Sequence, residues 1–292
     1  MDVLRRSLEE YLRAISTRVL ELAKQGKGTE VLGAVPGRPE TEDLEIGLDR
    51  ICEAMLESSL RNTGLRIDVY SEHGCRKIGG DGPLQYLAAS DPFDGSGLFR
   101  RGLPAEWWSV VTFYDLDGTP IAGGAVDVLR KEIYLAGRDG ATLISLEGET
   151  HTPICPATKT ALDDTTVIAA YLMDPSYLTG WVGRMKGMWD RFPGMRIWPN
   201  GGSCIYPWIA RGLVHAYVMF NEPRSEIDPG LAFAWAAGYP AFSVQEDGTL
   251  QPYRFVPDEQ AKRVPLFIAA CTTELAENIA MVIKSGESPM PT

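Results

Sequence analysis

Histidine is scarce in this 292-residue chain: it occurs three times, at 73, 151 and 215, and never at metal-ligand spacing. A zinc centre built on histidine is therefore not expected. The five cysteines (52, 75, 155, 204, 271) are dispersed, odd in number and without a C-x-x-C pair. That pattern disfavours a disulfide framework and points to reduced thiols in a cytoplasm. No apolar run is long enough to span a bilayer, and the N-terminus lacks the continuous apolar block of a signal peptide. Basic residues are in deficit, 28 against 39 acidic, for a net charge of −11. Such a balance disfavours a nucleic-acid backbone as partner, which needs a basic face. Internal repeats and low-complexity segments are missing too.

What is present suits a soluble enzyme with a substantial core: 45% of the residues are hydrophobic. Val3, Leu4, Leu8, Leu12, Ile15, Val19 and Leu22 recur at helical spacing, so residues 1 to 25 read as an amphipathic helix. A Gly/Pro-rich loop follows to Pro39, and a second amphipathic helix runs from about Asp43 to Arg61. Strands then dominate to about Ser145. Among them, the runs Trp107 to Tyr114 and Ile121 to Val128 flank Asp115-Leu116-Asp117-Gly118, a strong hairpin signal. Texture changes between Thr150 and Thr160, and from Thr165 short apolar strands alternate with helices. The expectation is an α+β layered fold of two subdomains, residues 1–160 and 161–292, forming one catalytic unit.

The most informative stretch is Asp91-Pro92-Phe93-Asp94-Gly95-Ser96-Gly97. It follows a buried-strand run, Tyr86-Leu87-Ala88-Ala89, and Pro92 and Gly95 break that strand into a tight turn. Two carboxylates three residues apart are thrown toward one point, beside the backbone N–H groups of Gly95 and Ser96. Carboxylate oxygens hold hard cations such as Mg²⁺. Outward-turned amides of a Gly-rich turn hold an anion, here a phosphate. Upstream, Ile67 to Tyr70 is a strand leading into Ser71-Glu72-His73-Gly74. Far downstream come Gly202-Ser203-Cys204, opening a helix, and Ile227-Asp228 near another helix start.

This ordered set resembles the inositol monophosphatase and fructose bisphosphatase superfamily of Mg²⁺-dependent, lithium-sensitive phosphatases. The resemblance runs over residues 2 to 250. It implies a five-layered αβαβα sandwich, a homodimer, and two or three Mg²⁺ ions held by Glu72, Asp91, Asp94, Asp228 and the Phe93 carbonyl. It implies a water nucleophile positioned by Ser96, with Glu72 as a further catalytic carboxylate and an Asp at the start of the second helix assisting. The family's Asp-x-x-Thr-x-x-Asp segment lines up with Asp43 to Asp49, Ile46 standing where a hydroxyl is usual, and assigns the assisting role to Asp43. Alternatively Glu42, Asp43 and Glu45 only complement a helix dipole. The substrate's carbon part would face Gly202, Ser203 and Cys204, and its hydroxyls Glu222 or Glu226.

The reading is thus a phosphoric monoester hydrolase acting on a small polyol or sugar phosphate. A fructose or nucleoside bisphosphate is the alternative substrate, and a non-catalytic sensor of a phosphorylated ligand is the alternative from another class. Arg100 and Arg101 bear on the choice. Facing the pocket, they would clamp a second phosphate or carboxylate; facing away, they form a solvated charge cluster.

Overall fold

Leu4, Leu8, Leu12, Ile15, Val19 and Leu22 form one buried stripe of helix α1 (Asp2–Gln25), with Tyr11 added and Val3 left in solvent. Each such leucine contributes about 1.5–3 kcal/mol by leaving water. The computed structural model describes residues 2–35 and 44–286. Strands β1 (Val31–Ala34) and β2 (Leu44–Ile46) form an antiparallel ribbon. Helix α2 (Gly47–Arg61) starts later than its periodicity suggests. Asp49 in its first turn accepts the Ile46 N–H at 2.7 Å, which satisfies an end-of-helix donor and fixes the start there.

Strands β3 (Ile67–Ser71), β4 (Gly74–Ile78), β5 (Tyr86–Asp94), β6 (Trp108–Tyr114), β7 (Pro120–Asp127), β8 (Glu132–Gly137), β9 (Gly140–Ser145) and β10 (Thr150–Ile154) build one sheet, in the order β10-β9-β8-β7-β6-β5-β3-β4. A short helix, α3 (Ser96–Arg100), follows β5. Within this sheet, among the described residues, only β3 and β5 pair parallel. The β6–β7 hairpin closes where Asp115 Oδ1 accepts the N–H groups of Asp117 at 3.0 Å and Thr119 at 2.9 Å. Every residue of β6 is buried, the signature of a strand covered on both faces. Trp108 on β6 packs against Tyr134 and Trp208 inside the core.

The rest of the chain supplies β11 (Val167–Ala169), α4 (Pro175–Arg191), β12 (Arg196–Trp198), a 3₁₀ turn (Ser203–Ile205) running into α5 (Tyr206–Ala210), β13 (Ala216–Pro223), α6 (Arg224–Ile227), α7 (Leu231–Ala237), β14 (Ala241–Val244), β15 (Leu250–Pro252), β16 (Arg263–Ala270) and α8 (Thr273–Gly286). These strands form a second mixed sheet, β12-β11-β13-β16-β14-β15. Helices α1 and α2 cover the outer face of the first sheet, and α4 and α8 that of the second. Between the sheets lie α5 and α7, with α7 against β7 and β8 and Tyr206 of α5 meeting Tyr217 and Phe267 of the second sheet. The result is the five-layered αβαβα sandwich of an α+β protein. All five cysteines are unpaired thiols, and no described helix is long and apolar enough to cross a membrane.

Candidate active site at the end of strand β5

In a regular strand, residues three apart point to opposite faces. Asp91 and Asp94 escape that rule through a β-bulge. Asp91 pairs with Val110 and Asp94 with Trp108, so three steps on β5 oppose two on β6. The extra residue turns both carboxylates to one side. Gly95 then leaves the strand at φ +105°, and a Cβ there would lie 2.3 Å from the Glu106 carbonyl oxygen. Both the backbone angle and the contact require glycine. Gly95→Ala is expected to cost at least about 2 kcal/mol of stability, read as a lowered midpoint of thermal unfolding; an unchanged midpoint would show that the turn is slack.

Beyond the turn, the Ser96 hydroxyl donates to Asp49 Oδ1 at 2.6 Å, with the Phe93 carbonyl oxygen 3.1 Å from the same Oγ. Asp49 is buried, and its other oxygen holds the Ile46 N–H described above. The carboxylate is thus locked from two sides and orients the serine. Asp43 lies outside the described residues. Asp49, six positions on, is the acid that the structure sets against Ser96, and the Asp43–Asp49 segment carried that signal at its other end.

The second half of the chain closes the site. Gly202, at φ +119°, passes so near that a Cβ would lie 2.9 Å from Glu226 Oε2 and 3.2 Å from Asp94 Oδ2. The Ser203 hydroxyl donates to Asp91 Oδ2 at 2.9 Å and lies 3.3 Å from Asp94 Oδ2, which also accepts the Cys204 N–H at 3.0 Å. Ser203 and Cys204 are buried on these carboxylates, while Gly202 lines the open cavity. Ligand-group oxygens of Asp91, Asp94 and Glu226 all lie within 4.8 Å of one another. A cavity of about 460 Å³ opens over them, and Glu72, Phe93, Gly95, Ser96 and Glu222 share its wall.

Asp228 is not in this group. Its carboxylate is fully buried, accepts the Tyr253 hydroxyl at 2.7 Å and the Gln260 side-chain amide at 3.5 Å, and lies 3.9 Å from the Arg224 guanidinium. The acid on the cavity is Glu226, two residues earlier. In α6 the buried Ser225 and Ile227 alternate with Arg224 and Glu226, so a two-residue shift preserves the pattern and the spacing alone does not tell the acids apart. Glu222 is buried with its Oε1 accepting the Tyr217 hydroxyl, and it meets the cavity from β13.

Electrostatics test whether this donor set suits a metal ion. Burial, then the charges of Asp94, Glu226 and Glu72, raise the Asp91 carboxyl well above the usual range. Burial and Glu226 push Asp94 up to about 7, against the lowering effect of the Cys204 hydrogen bonds. Burial also pushes Glu106, across the Gly95 turn, up to about 7. Crowded anions with oxygen donors only are what a hard divalent cation relieves, and Asp91, Asp94 and Glu226 fit Mg²⁺ in donor chemistry and in mutual reach.

No family model matches the chain, and no curated protein does either. Solved structures do. The extragenic suppressor protein suhB from Bartonella henselae superposes with a TM-score of 0.74 at 16% identity, covering 98% of this chain and 100% of that one. The inositol monophosphatase of Thermotoga maritima superposes with a TM-score of 0.71 at 18% identity, covering 98% of each chain. Inositol monophosphatase II from Staphylococcus aureus MSSA476 gives 0.69 at 16% identity over 100% of both. The chain therefore has the inositol monophosphatase fold along its length.

Proposed function

We propose that on this fold the cavity hydrolyses a phosphate monoester of a small polyol or sugar in a Mg²⁺-dependent reaction. The observation that carries the reading is the convergence of Asp91, Asp94 and Glu226 from two halves of the chain, beside a serine oriented by a buried carboxylate. Asp91, Asp94 and Glu226 would hold the metal, with Glu72 on the same wall. Bound Mg²⁺ supplies neutralisation of charge on the phosphate and its leaving oxygen, and makes water acidic enough to attack.

The chain's own groups do the rest. The Gly95 and Ser96 amides in the turn receive phosphate oxygens. The Ser96 hydroxyl donates to Asp49 Oδ1, so an Oγ lone pair can take a proton from an incoming water as Ser96 passes its own hydrogen to the Asp49 carboxylate. That pair would take the role that the resemblance implies for Ser96 and Asp43. Glu222, held by Tyr217, accepts a substrate hydroxyl. Gly202 lets the backbone approach closely enough for the carbon skeleton to lie against it.

A panel of inositol, sugar and nucleotide phosphates, assayed for released phosphate with Mg²⁺, tests the reading. Release is expected from at least one small monoester, with loss in EDTA and recovery when Mg²⁺ is restored. Undiminished turnover in EDTA sinks the metal-dependent reading. Tight binding of a phosphorylated compound without release would make the protein a sensor.

A further inference from the structure

Helix α2 carries acids at three successive turns of one face, Asp49, Glu53 and Glu57. Like charges four residues apart weaken a helix, so each needs a partner from elsewhere in the fold. Asp49 has Ser96. Glu53 is buried and accepts the Ser71 hydroxyl on its Oε1 at 3.1 Å. Its Oε2 holds the Arg76 guanidinium, whose other arm reaches Glu57 Oε1 at 2.7 Å. Burial raises the Glu53 carboxyl above its usual range, against the lowering effects of Arg76 and the Ser71 hydrogen bond. Glu53 is not among the residues lining the cavity. Ser71, however, ends β3, and its pairing with Gly74 of β4 leaves Glu72 and His73 as the two residues of the turn. The buried Ser71 hydroxyl also accepts the His73 N–H at 3.2 Å. That bond spans Glu72, and Glu53 fixes the hydroxyl that makes it.

We propose that Glu53 is a positioning residue for Glu72: acting through Ser71, it holds the β3–β4 turn so that the Glu72 carboxylate serves the metal ion. This role rests on the metal-dependent phosphatase reading and adds to it a residue outside the cavity. Glu72 lines the cavity wall, and its charge is felt at Asp91. It stands in a turn rather than in a strand, so its direction follows from how the turn is held. Helix α2 then works as a ruler. Asp49 orients Ser96 after β5, and Glu53, about 6 Å further along the axis, fixes the turn after β3. Arg76 compensates the buried Glu53 charge, which would otherwise be costly.

The test titrates Mn²⁺, which takes the same oxygen donors as Mg²⁺, into the metal-free protein. Its dissociation constant is read by electron paramagnetic resonance, with the melting temperature followed alongside. Ser71→Ala removes the bridging hydroxyl and nothing larger. It is expected to weaken Mn²⁺ about tenfold or more, the scale on which groups that orient a metal ligand act. The Mg²⁺ concentration for half-maximal phosphate release should rise by a similar factor. Glu53→Ala should match it, and Glu53→Gln, which keeps an acceptor for Ser71, should recover part of the affinity. Glu72→Gln sets the ceiling: in that background Ser71→Ala should weaken Mn²⁺ no further. A bridge that only staples the sheet to α2 would lower the melting temperature and leave the Mn²⁺ constant alone. That result, an equal loss with and without the Glu72 charge, or wild-type affinity in Glu72→Gln overturns the positioning role. Glu72-dependent Mn²⁺ binding that weakens in Ser71→Ala, without phosphate release from any monoester, overturns the phosphatase reading and leaves the positioning role standing. A wild type that binds no Mn²⁺ overturns both.

Discussion

Asp94→Asn is expected to lower kcat for phosphate release by at least about 10²–10³, the scale set by removing one preorganised electrostatic group from a reaction centre. The side chain keeps its size and can still accept the Cys204 N–H, so the fold has no reason to fail. What disappears is one negative charge from a group of three within 4.8 Å. The same arithmetic applies to Glu226→Gln. Neutralising either acid relieves repulsion, so the metal-free variants should melt above the metal-free wild type. The wild type should gain stability on adding Mg²⁺, by RT ln(1 + [Mg²⁺]/Kd), and each variant should gain less. Asp228→Asn should differ from both: it disturbs the pairing with Tyr253 and Arg224, and its effect should register as lowered unfolding temperature with the Mg²⁺-induced gain retained. Wild-type turnover in Asp94→Asn and Glu226→Gln, or a normal Mg²⁺ response in them, would remove these carboxylates from the site.

The second large effect is expected at the Ser96–Asp49 pair. Ser96→Ala deletes the hydroxyl that would relay a proton from water to the Asp49 carboxylate, and general-base contributions run to about 10²–10⁴ in rate. The cut should fall on kcat, with KM little changed, since the backbone amides that seat the phosphate remain. Asp49→Asn should reach a comparable kcat by another route. Its amide nitrogen must face one of two donors, the Ser96 hydroxyl or the Ile46 N–H, so either the serine loses its orientation or the helix start loses its cap. It should therefore also cost about 1–3 kcal/mol of stability. Combining the two should lose little more activity than either alone, because they act as one unit. Additive losses in the double variant, measured as initial rates at saturating Mg²⁺, would mean that the residues work separately.

How far the sequence could be read depended on whether the needed signal was local. The α1 stripe and the β6–β7 hairpin are local patterns, periodicity in one case and turn chemistry in the other, and both elements stand where those patterns put them. The layered α+β architecture was legible for the same reason, from the change of texture near residue 160. Asp91 and Asp94 come together because one short motif carries both the strand end and its break. Glu226 was harder: its place on the cavity depends on which way a four-residue helix turns against Tyr253 and Gln260, segments roughly thirty residues away in sequence. The resemblance pointed to Asp228, and the packing brings Glu226 to Asp91 and Asp94. Ser203 and Cys204 show the same limit. A Gly-Ser-Cys run at a helix start reads as a ligand surface, and only the approach of β5 turns its hydroxyl and amide onto Asp91 and Asp94.

The bulge in β5 makes the two aspartates a matter of parity. Along a strand, even separations agree in direction and odd ones disagree; three is odd, and the single unpaired residue converts it to even. Most substitutions between Asp91 and Asp94 leave that count untouched. Losing or gaining one residue there inverts it and sends one aspartate into the opposite layer, against the apolar packing on the other side of the sheet. The interval is therefore guarded as a number more strictly than as a spelling, and chain length at this point is itself an encoded property of the site.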